Sequence, residues 1–297
     1  MVSKTENYLA RHGRLQELQQ YLRKVQTIVT RDSELIKTNV LVHEAVASTY
    51  DDRHPEIFNP IEQTRLRNLL AVALNNVQTG ERHAMDYGCG TGNLTRHLLD
   101  LGCTVTAADV TPSFVQMTTN IDPQGVTGLI LNGRDMCEIE AETFDLIATY
   151  SVLHHIPDYL SAVREMIRVL KPGGVLVIDH EASDEHYEPG RALAEFRELT
   201  VLPRTLSWYT RRVFSLGWWR TKWLQRSNPR YSEEGDIHVW PDDRIEWHLL
   251  RALFEDSGVE ILRDESYLHA QAHYDPAVFT TYADMCSDMH VLVGRKR

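Results

Sequence analysis

Met85-Asp86-Tyr87-Gly88-Cys89-Gly90-Thr91-Gly92-Asn93 is the stretch that decides the fold. An apolar run that reads as a strand enters it, and a helical pattern leaves it. Three glycines at alternate positions let the chain turn tightly and let its backbone approach a ligand with no Cβ in the way. The helix that follows offers unpaired backbone N–H groups to an anionic or polar ligand. Asp109 closes the next expected strand, 19 residues past Gly90, where a carboxylate can accept both hydroxyls of a ribose. The pair predicts a nucleoside-containing ligand at the carboxyl ends of the first two strands. A dinucleotide fingerprint puts its third glycine at position 93, which here is Asn93, and a phosphate loop needs a Gly-Lys-Ser/Thr ending that is absent.

Outward from this turn, strands are expected at 84–87, 104–109, 128–131, 144–150 and 174–179, with helices at 92–100, 112–119 and 158–170 between them. In the last helix Leu160, Val163, Ile167 and Leu170 share a face, and Lys171-Pro172-Gly173-Gly174 stops it. Such alternation implies parallel strand–helix–strand units. The pattern breaks after Glu181 and resumes with a helix at 243–256 and strands near 259–267 and 289–295. Upstream, Leu15, Leu18, Leu22, Val25 and Val29 recur at helical spacing, so 1–42 reads as helical, followed by helices at 40–50 and 61–76.

These motifs resemble the class I S-adenosylmethionine-dependent methyltransferases, of the small-molecule type. The first family motif, an acidic residue followed by GxGxG, matches Asp86, Gly88, Gly90 and Gly92, and Asp109 is similar to the family's ribose-binding acid. Asn132-Gly133-Arg134-Asp135-Met136 follows the third strand, where the family has an acid bonding the adenine amino group; Asp135 takes that place. Phe144-Asp145-Leu146-Ile147 resembles the family's fourth strand, closed by Ser151-Val152-Leu153-His154-His155, and Leu170 to Gly174 resembles its "LKPGG" turn. Ala47-Ser48-Thr49-Tyr50-Asp51 looks like the N-terminal A-x-x-Y-D segment, whose tyrosine covers the methionine end of the cofactor. The resemblance implies S-adenosyl-L-methionine as cofactor, contacted also by Val110, Met136 and Ser151. It further implies an α/β fold with a Rossmann-like, doubly wound, mostly parallel seven-stranded sheet; it does not cover 1–40 or the interruption after Glu181, and there the helical spacing and the separate composition predict N-terminal helices and an inserted helical cap. Residues 1–80 are expected to form the helical region, 81–181 and 243–297 the core, and 182–242 the cap, an acceptor-binding lid.

The formal net charge of −11 disfavours a protein held to nucleic acid by phosphate contacts. So does Thr149-Tyr150-Ser151-Val152, which stands where base-modifying relatives carry an Asn/Asp-Pro-Pro-aromatic motif. The expected acceptor is a small molecule. Residues 191–231 hold nine Arg/Lys against two Glu, a local +7, so the rest of the chain carries −18. There Trp208, Tyr209, Phe214, Trp218, Trp219 and Trp223 interleave with Arg211, Arg212, Arg220, Lys222 and Arg226. The cap reads as a helical cover, an acceptor pocket, or a peripheral membrane or lipid contact through 204–231. A homodimer through the N-terminal helices is a further option. Four cysteines with no CxxC pair, and no secretory or membrane-spanning run, predict a cytoplasmic protein.

Methyl transfer to an oxygen needs a base, and His154 and His155 follow the fourth strand beside the expected methyl group. His180 and Glu181 end the fifth strand at the same edge, and His238 is a cap candidate. No metal is expected, because Asp179, His180 and Glu181 alternate faces on one strand. Two rivals stand beside O-methylation of a metabolite, lipid-linked or glycan-related hydroxyl. One is an NAD-dependent oxidoreductase, the other a non-catalytic cofactor-binding or interaction protein.

Overall fold

The computed structural model describes residues 31–201 and 216–297. Its main sheet has strands β1 (His83–Tyr87), β2 (Thr104–Asp109), β3 (Val126–Ile130), β4 (Phe144–Tyr150), β5 (Leu170–Ala182), β8 (Val259–Tyr267) and β9 (Met289–Lys296). A separate two-residue ladder joins β6 (Val239–Trp240) to β7 (Asp243–Arg244). The sheet runs in the order β3-β2-β1-β4-β5-β9-β8, and only β9 runs against its neighbours. The order reverses between β1 and β4, so their carboxyl ends open the crevice where ligands bind in doubly wound sheets. The expected seven-stranded, mostly parallel fold is the one observed.

Strand residues divide between the two faces with period two. Ile147, Leu176 and Ile178 pack with Val163, Met166 and Ile167 of the helix Tyr159–Val169, and with Trp247, Leu250 and Phe254 of the helix Trp247–Asp256. Leu146, Ala148, Val175 and Val177 face the other way, onto Leu66, Leu70 and Ala73 of the helix Pro60–Asn75 and Leu94 and Leu98 of the helix Asn93–Asp100. A strand covered on both faces is apolar throughout, which is why β4 is buried at all seven positions. Lys171-Pro172-Gly173-Gly174 bulges out of β5, between Leu170 opposite Phe144 and Val175 opposite Leu146.

The structure differs from the sequence-based expectation in three places. The break expected at 40–42 is absent: helix α1 runs over 31–46, then tightens into a 3-10 turn at Ala47–Thr49 and a last turn at Tyr50–Arg53. Leu15 to Val29 lie outside the described residues, as do Trp208, Tyr209, Arg211, Arg212 and Phe214. The helix expected from 243 begins at Trp247, because 243–244 pair with 239–240, and Trp247 is a core residue with its indole N–H donating to the Ala182 carbonyl at 3.0 Å. Finally, Leu193 and Phe196 of the helix Arg191–Thr200 pack on Leu268, Tyr282 and Cys286. The helix Arg191–Thr200 thus packs on a second segment, 268–288, which contains the helix Pro276–Tyr282 capped by Asp275.

Candidate functional site

The glycine turn is held by β2. The amides of Gly88 and Cys89 both donate to the Ala108 carbonyl, at 2.7 and 3.0 Å. Gly88 has φ +76°, and a Cβ there would overlap the Val152 side chain. Gly90 has φ +47°, and a Cβ there would meet nothing within 4 Å, because the space beyond it is the pocket. Gly92, at φ +89°, lies just before the helix Asn93–Asp100 and is not in the pocket wall.

Asp86 stands behind the turn, outside the pocket lining. Its Oδ2 accepts from the amide and the hydroxyl of Thr95, at 2.9 and 2.6 Å, so it pins the first turn of that helix to β1. Its Oδ1 is buried without a partner among the described residues. Burial lifts its pKa to about 7, against the pull of the two Thr95 hydrogen bonds. Asp109 does line the pocket. One carboxylate oxygen accepts from the Thr111 amide at 2.8 Å and the other from the Gly90 amide at 3.1 Å. Each oxygen keeps an acceptor site, and burial raises the carboxyl's pKa despite those bonds.

A pocket open to solvent lies between the N-terminal helix and the carboxyl ends of β1, β2 and β4. Gly88, Gly90, Asp109 and Val110 form its floor; Leu131 and Gly133 form one end. Tyr50, His43, Asn39 and Ile36 form a roof from the N-terminal helix, and Ser151, Val152 and His155 form the other end. Three contacts fix that roof: Thr91 donates to Asp51 at 2.5 Å, the Ser113 amide donates to Glu44 at 3.0 Å, and Arg134 bonds Ser33. Phe114 meets the Tyr50 ring edge-on at 5.4 Å.

Asp135 and Met136 are not brought into this wall. Asn132 Oδ1 accepts from the Arg134 and Asp135 amides, at 2.7 and 3.0 Å, and this turn presents Gly133 to the pocket and Asp135 to solvent. Met136 is buried in the core instead.

Of the four candidate catalytic groups, His155 alone borders the pocket. Burial, reinforced by the nearby His154 and His43 rings, holds its pKa well below the usual value, so it is neutral at pH 7. His154 sits beside it, with ring centroids 4.2 Å apart. Burial pulls the His154 pKa down, but the Glu181 carboxylate and Asp236 outweigh it and raise the pKa. Glu181 accepts from the Val152 and Leu153 amides and from His154 Nδ1, at 2.8, 2.7 and 2.8 Å. It holds the His154 ring and the turn at 152–153 from behind and does not line the pocket. His180 has φ +62° at the bulge in β5 and stacks on Tyr150 at 4.5 Å, away from the pocket. His238 binds Asp243 at 2.5 Å and the Ile156 carbonyl at 3.1 Å, a structural role.

Sequence reasoning missed Ile36, Asn39, His43, Leu131, Gly133 and Asp236. The first three had a usable signal: counted back from Tyr50, they recur on one helical face. Asp236 had none, since only the tertiary fold brings it to the histidine pair, where its Oδ1 lies 3.7 Å from His154 Nε2 and 3.5 Å from His155 Nδ1.

Residues 85–178 match the family model described as a methyltransferase domain. The chain is 30% identical over 134 residues to the 2-methyl-6-phytyl-1,4-hydroquinone methyltransferase of Synechocystis, covering 44% of this chain and 41% of that protein. It is 32% identical over 98 residues to the ubiquinone biosynthesis O-methyltransferase of Coxiella burnetii, covering 32% and 42%. The match thus spans about two fifths of the curated relatives' length. Among solved structures, the N-methyltransferase NodS of Bradyrhizobium japonicum, in complex with S-adenosyl-L-homocysteine, shares the fold. Its TM-score is 0.52 at 18% identity, covering 87% of this chain and 98% of that one. A putative methyltransferase of Haloferax volcanii, solved with its Trm112 activator, also scores 0.52 at 18% identity, covering 85% and 96%.

Residues 85–178 thus carry a methyltransferase domain similar to the class I S-adenosylmethionine-dependent methyltransferases. The pocket fits that family's cofactor on two observations: the open space over Gly90, and a buried Asp109 whose two oxygens each retain an acceptor site.

Proposed function

We propose that this protein transfers a methyl group from S-adenosylmethionine to a hydroxyl of a small molecule. The observation that carries the reading is one continuous pocket whose floor is the Gly88, Gly90 and Asp109 surface and one end of which is neutral His155. S-adenosylmethionine, when bound, supplies a methyl group activated by its sulfonium. Asp109 holds the ribose hydroxyls. Leu131 and Gly133 offer an apolar, close-approach end to the adenine. Tyr50, His43 and Phe114 exclude water from the side nearest His155, which strengthens every polar contact there. His155 takes up the acceptor's proton, and Glu181 holds its neighbour His154 in place. Positioning of this kind supplies about 7–11 kcal/mol of a displacement barrier.

The hydroquinone and ubiquinone named in the curated relatives support an aromatic, lipid-linked acceptor. The helix Leu216–Ser227 supports the same reading, because Trp219 and Trp223 are 55% and 66% exposed beside Arg220, Lys222 and Arg226. Aromatics at headgroup depth with cations toward anionic lipid are the chemistry of a membrane-surface contact. Among the described residues no helix is long and apolar enough to cross a membrane. The test is calorimetric titration with S-adenosylhomocysteine and with NAD, then transfer of labelled methyl to a panel of hydroquinones, catechols and sugar hydroxyls. Tight NAD binding without S-adenosylhomocysteine binding would overturn the reading.

A further inference from the structure

Two clusters of metal-ligand type lie in the described residues: Glu62, His180 and His269, and His154, His155 and Asp236. In each, the ligand atoms lie within 4.8 Å of one another. The first cannot take a cation. Arg65 donates to both Glu62 oxygens, at 2.9 and 2.6 Å, and the Tyr150 hydroxyl adds a third bond at 2.9 Å. A metal there would sit against a fixed positive charge in a buried site.

The second cluster has the opposite character. Asp236 Oδ1 lies 3.7 Å from His154 Nε2 and 3.5 Å from His155 Nδ1. Those separations are long for hydrogen bonds. They are close to the edge of a tetrahedron of ligands around one ion, about 3.4 Å for metal–ligand distances of about 2.1 Å. His155 Nδ1 is buried with no hydrogen-bond partner. The remaining atoms are already engaged in the manner of ligands held from behind. His154 gives its other nitrogen to Glu181 at 2.8 Å, and Asp236 gives its other oxygen to the Ser232 hydroxyl at 2.6 Å. A carboxylate behind a ligating imidazole fixes its tautomer and orientation. The backbone fixes the third ligand too, since the Ile237 and His238 amides both donate to the His154 carbonyl, at 2.9 and 3.0 Å.

We infer that His154, His155 and Asp236 form a binding site for a divalent transition-metal cation, zinc in type, at the His155 end of the pocket. Two imidazoles and a carboxylate form a donor set suited to zinc and its neighbours. Three protein ligands leave a fourth position, and His155 borders the pocket, so that position opens toward it. An acceptor oxygen or a water fills it. Only this last statement rests on the methyl-transfer reading; the cation site itself does not. A cation and a proton exclude each other at His155 Nδ1. The metal-loaded protein therefore holds an acceptor oxygen by ligation, and the metal-free protein meets it with imidazole.

The test is a cobalt(II) titration of the full chain carrying Cys137→Ser, which removes the one exposed thiol among the described cysteines. The expected result is one equivalent bound with the intense visible absorption of a tetrahedral site, displaced by zinc. His155→Gln and Asp236→Asn should each abolish that absorption, and Ser232→Ala should weaken binding about 10- to 100-fold. The proposal is overturned if no cobalt binds, if binding is unchanged in His155→Gln and Asp236→Asn, or if His269→Gln removes it instead. S-adenosylhomocysteine titration of the same samples separates the two readings. Cobalt bound without S-adenosylhomocysteine binding refutes methyl transfer and leaves the metal site standing; the reverse refutes the metal site alone.

Discussion

Replacing Asp109 by alanine tests the cofactor site at its most specific point. The carboxylate is buried, and each of its oxygens accepts one backbone N–H while keeping an acceptor site for a ligand hydroxyl. Hydrogen bonds to a charged group contribute about 1.5–3 kcal/mol. The pocket has a mouth, so water partly replaces what the ribose loses, and the net cost stays near the worth of one such bond. That predicts S-adenosylhomocysteine binding weaker by about 10- to 150-fold, at about 1.4 kcal/mol per factor of ten. Calorimetric titration reads it directly. The same change leaves the Gly90 and Thr111 amides without their acceptor, a cost of about 1–3 kcal/mol each in stability where water cannot reach. Circular dichroism at the titration temperature therefore accompanies the binding measurement. Asp109→Asn keeps one acceptor oxygen and should fall between the two. A folded Asp109→Ala protein with unchanged affinity would refute the assignment of the ribose end.

Three further outcomes are expected. In protein freed of metal by chelation, His155→Ala should lower kcat by about 10²–10⁴ with S-adenosylhomocysteine affinity nearly unchanged, whereas His180→Ala should lower the melting temperature and spare kcat; the acid limb of the wild-type rate should lie below pH 6.5, because the His155 pKa is lowered from there. Asp86 has a folded pKa of about 7 against 3.8 unfolded, so its contribution to stability is complete below about pH 4 and is lost as pH rises through 7; melting curves of the ligand-free protein between pH 5 and 8 should fall less steeply for Asp86→Asn than for wild type. Co-sedimentation with vesicles containing phosphatidylserine should fall in Trp219→Ser/Trp223→Ser and with added salt, and binding to neutral vesicles should be weaker.

The sheet was legible because β1 and β4 are covered on both faces, and that demands apolar runs bounded by turns. The glycine turn was legible because a close backbone approach admits no Cβ, which leaves a signature at fixed spacing. The place of Asp135 was not. Asp135 has the family's residue type at the family's position, yet the turn made by the Asn132 side chain presents Gly133 in its place. Position in a motif does not report the direction of a side chain. His180 and Glu181 are neighbours in the chain, and the bulge at β5 sends one to Tyr150 and the other to His154. Asp236 reaches the histidine pair from 81 residues away, through a segment with no pattern of its own. Long-range convergence of this kind exists only once the sheet has formed.

The contacts between residues 183–196 and the segment 268–288 bear on whether either can be exchanged alone. Glu185 accepts from both the amide and the hydroxyl of Ser287, at 2.8 and 2.9 Å, and the Ser183 amide donates to the Asp288 carbonyl at 3.0 Å. Leu193 and Phe196 bury themselves on Leu268 and Tyr282. A chimera that imports 182–242 from a relative while keeping this chain's 268–288 sets a foreign apolar face on a native one and leaves Ser287 without its carboxylate. The unit of transplantation is the pair, and β9 and the rest of the sheet stay behind as the chassis.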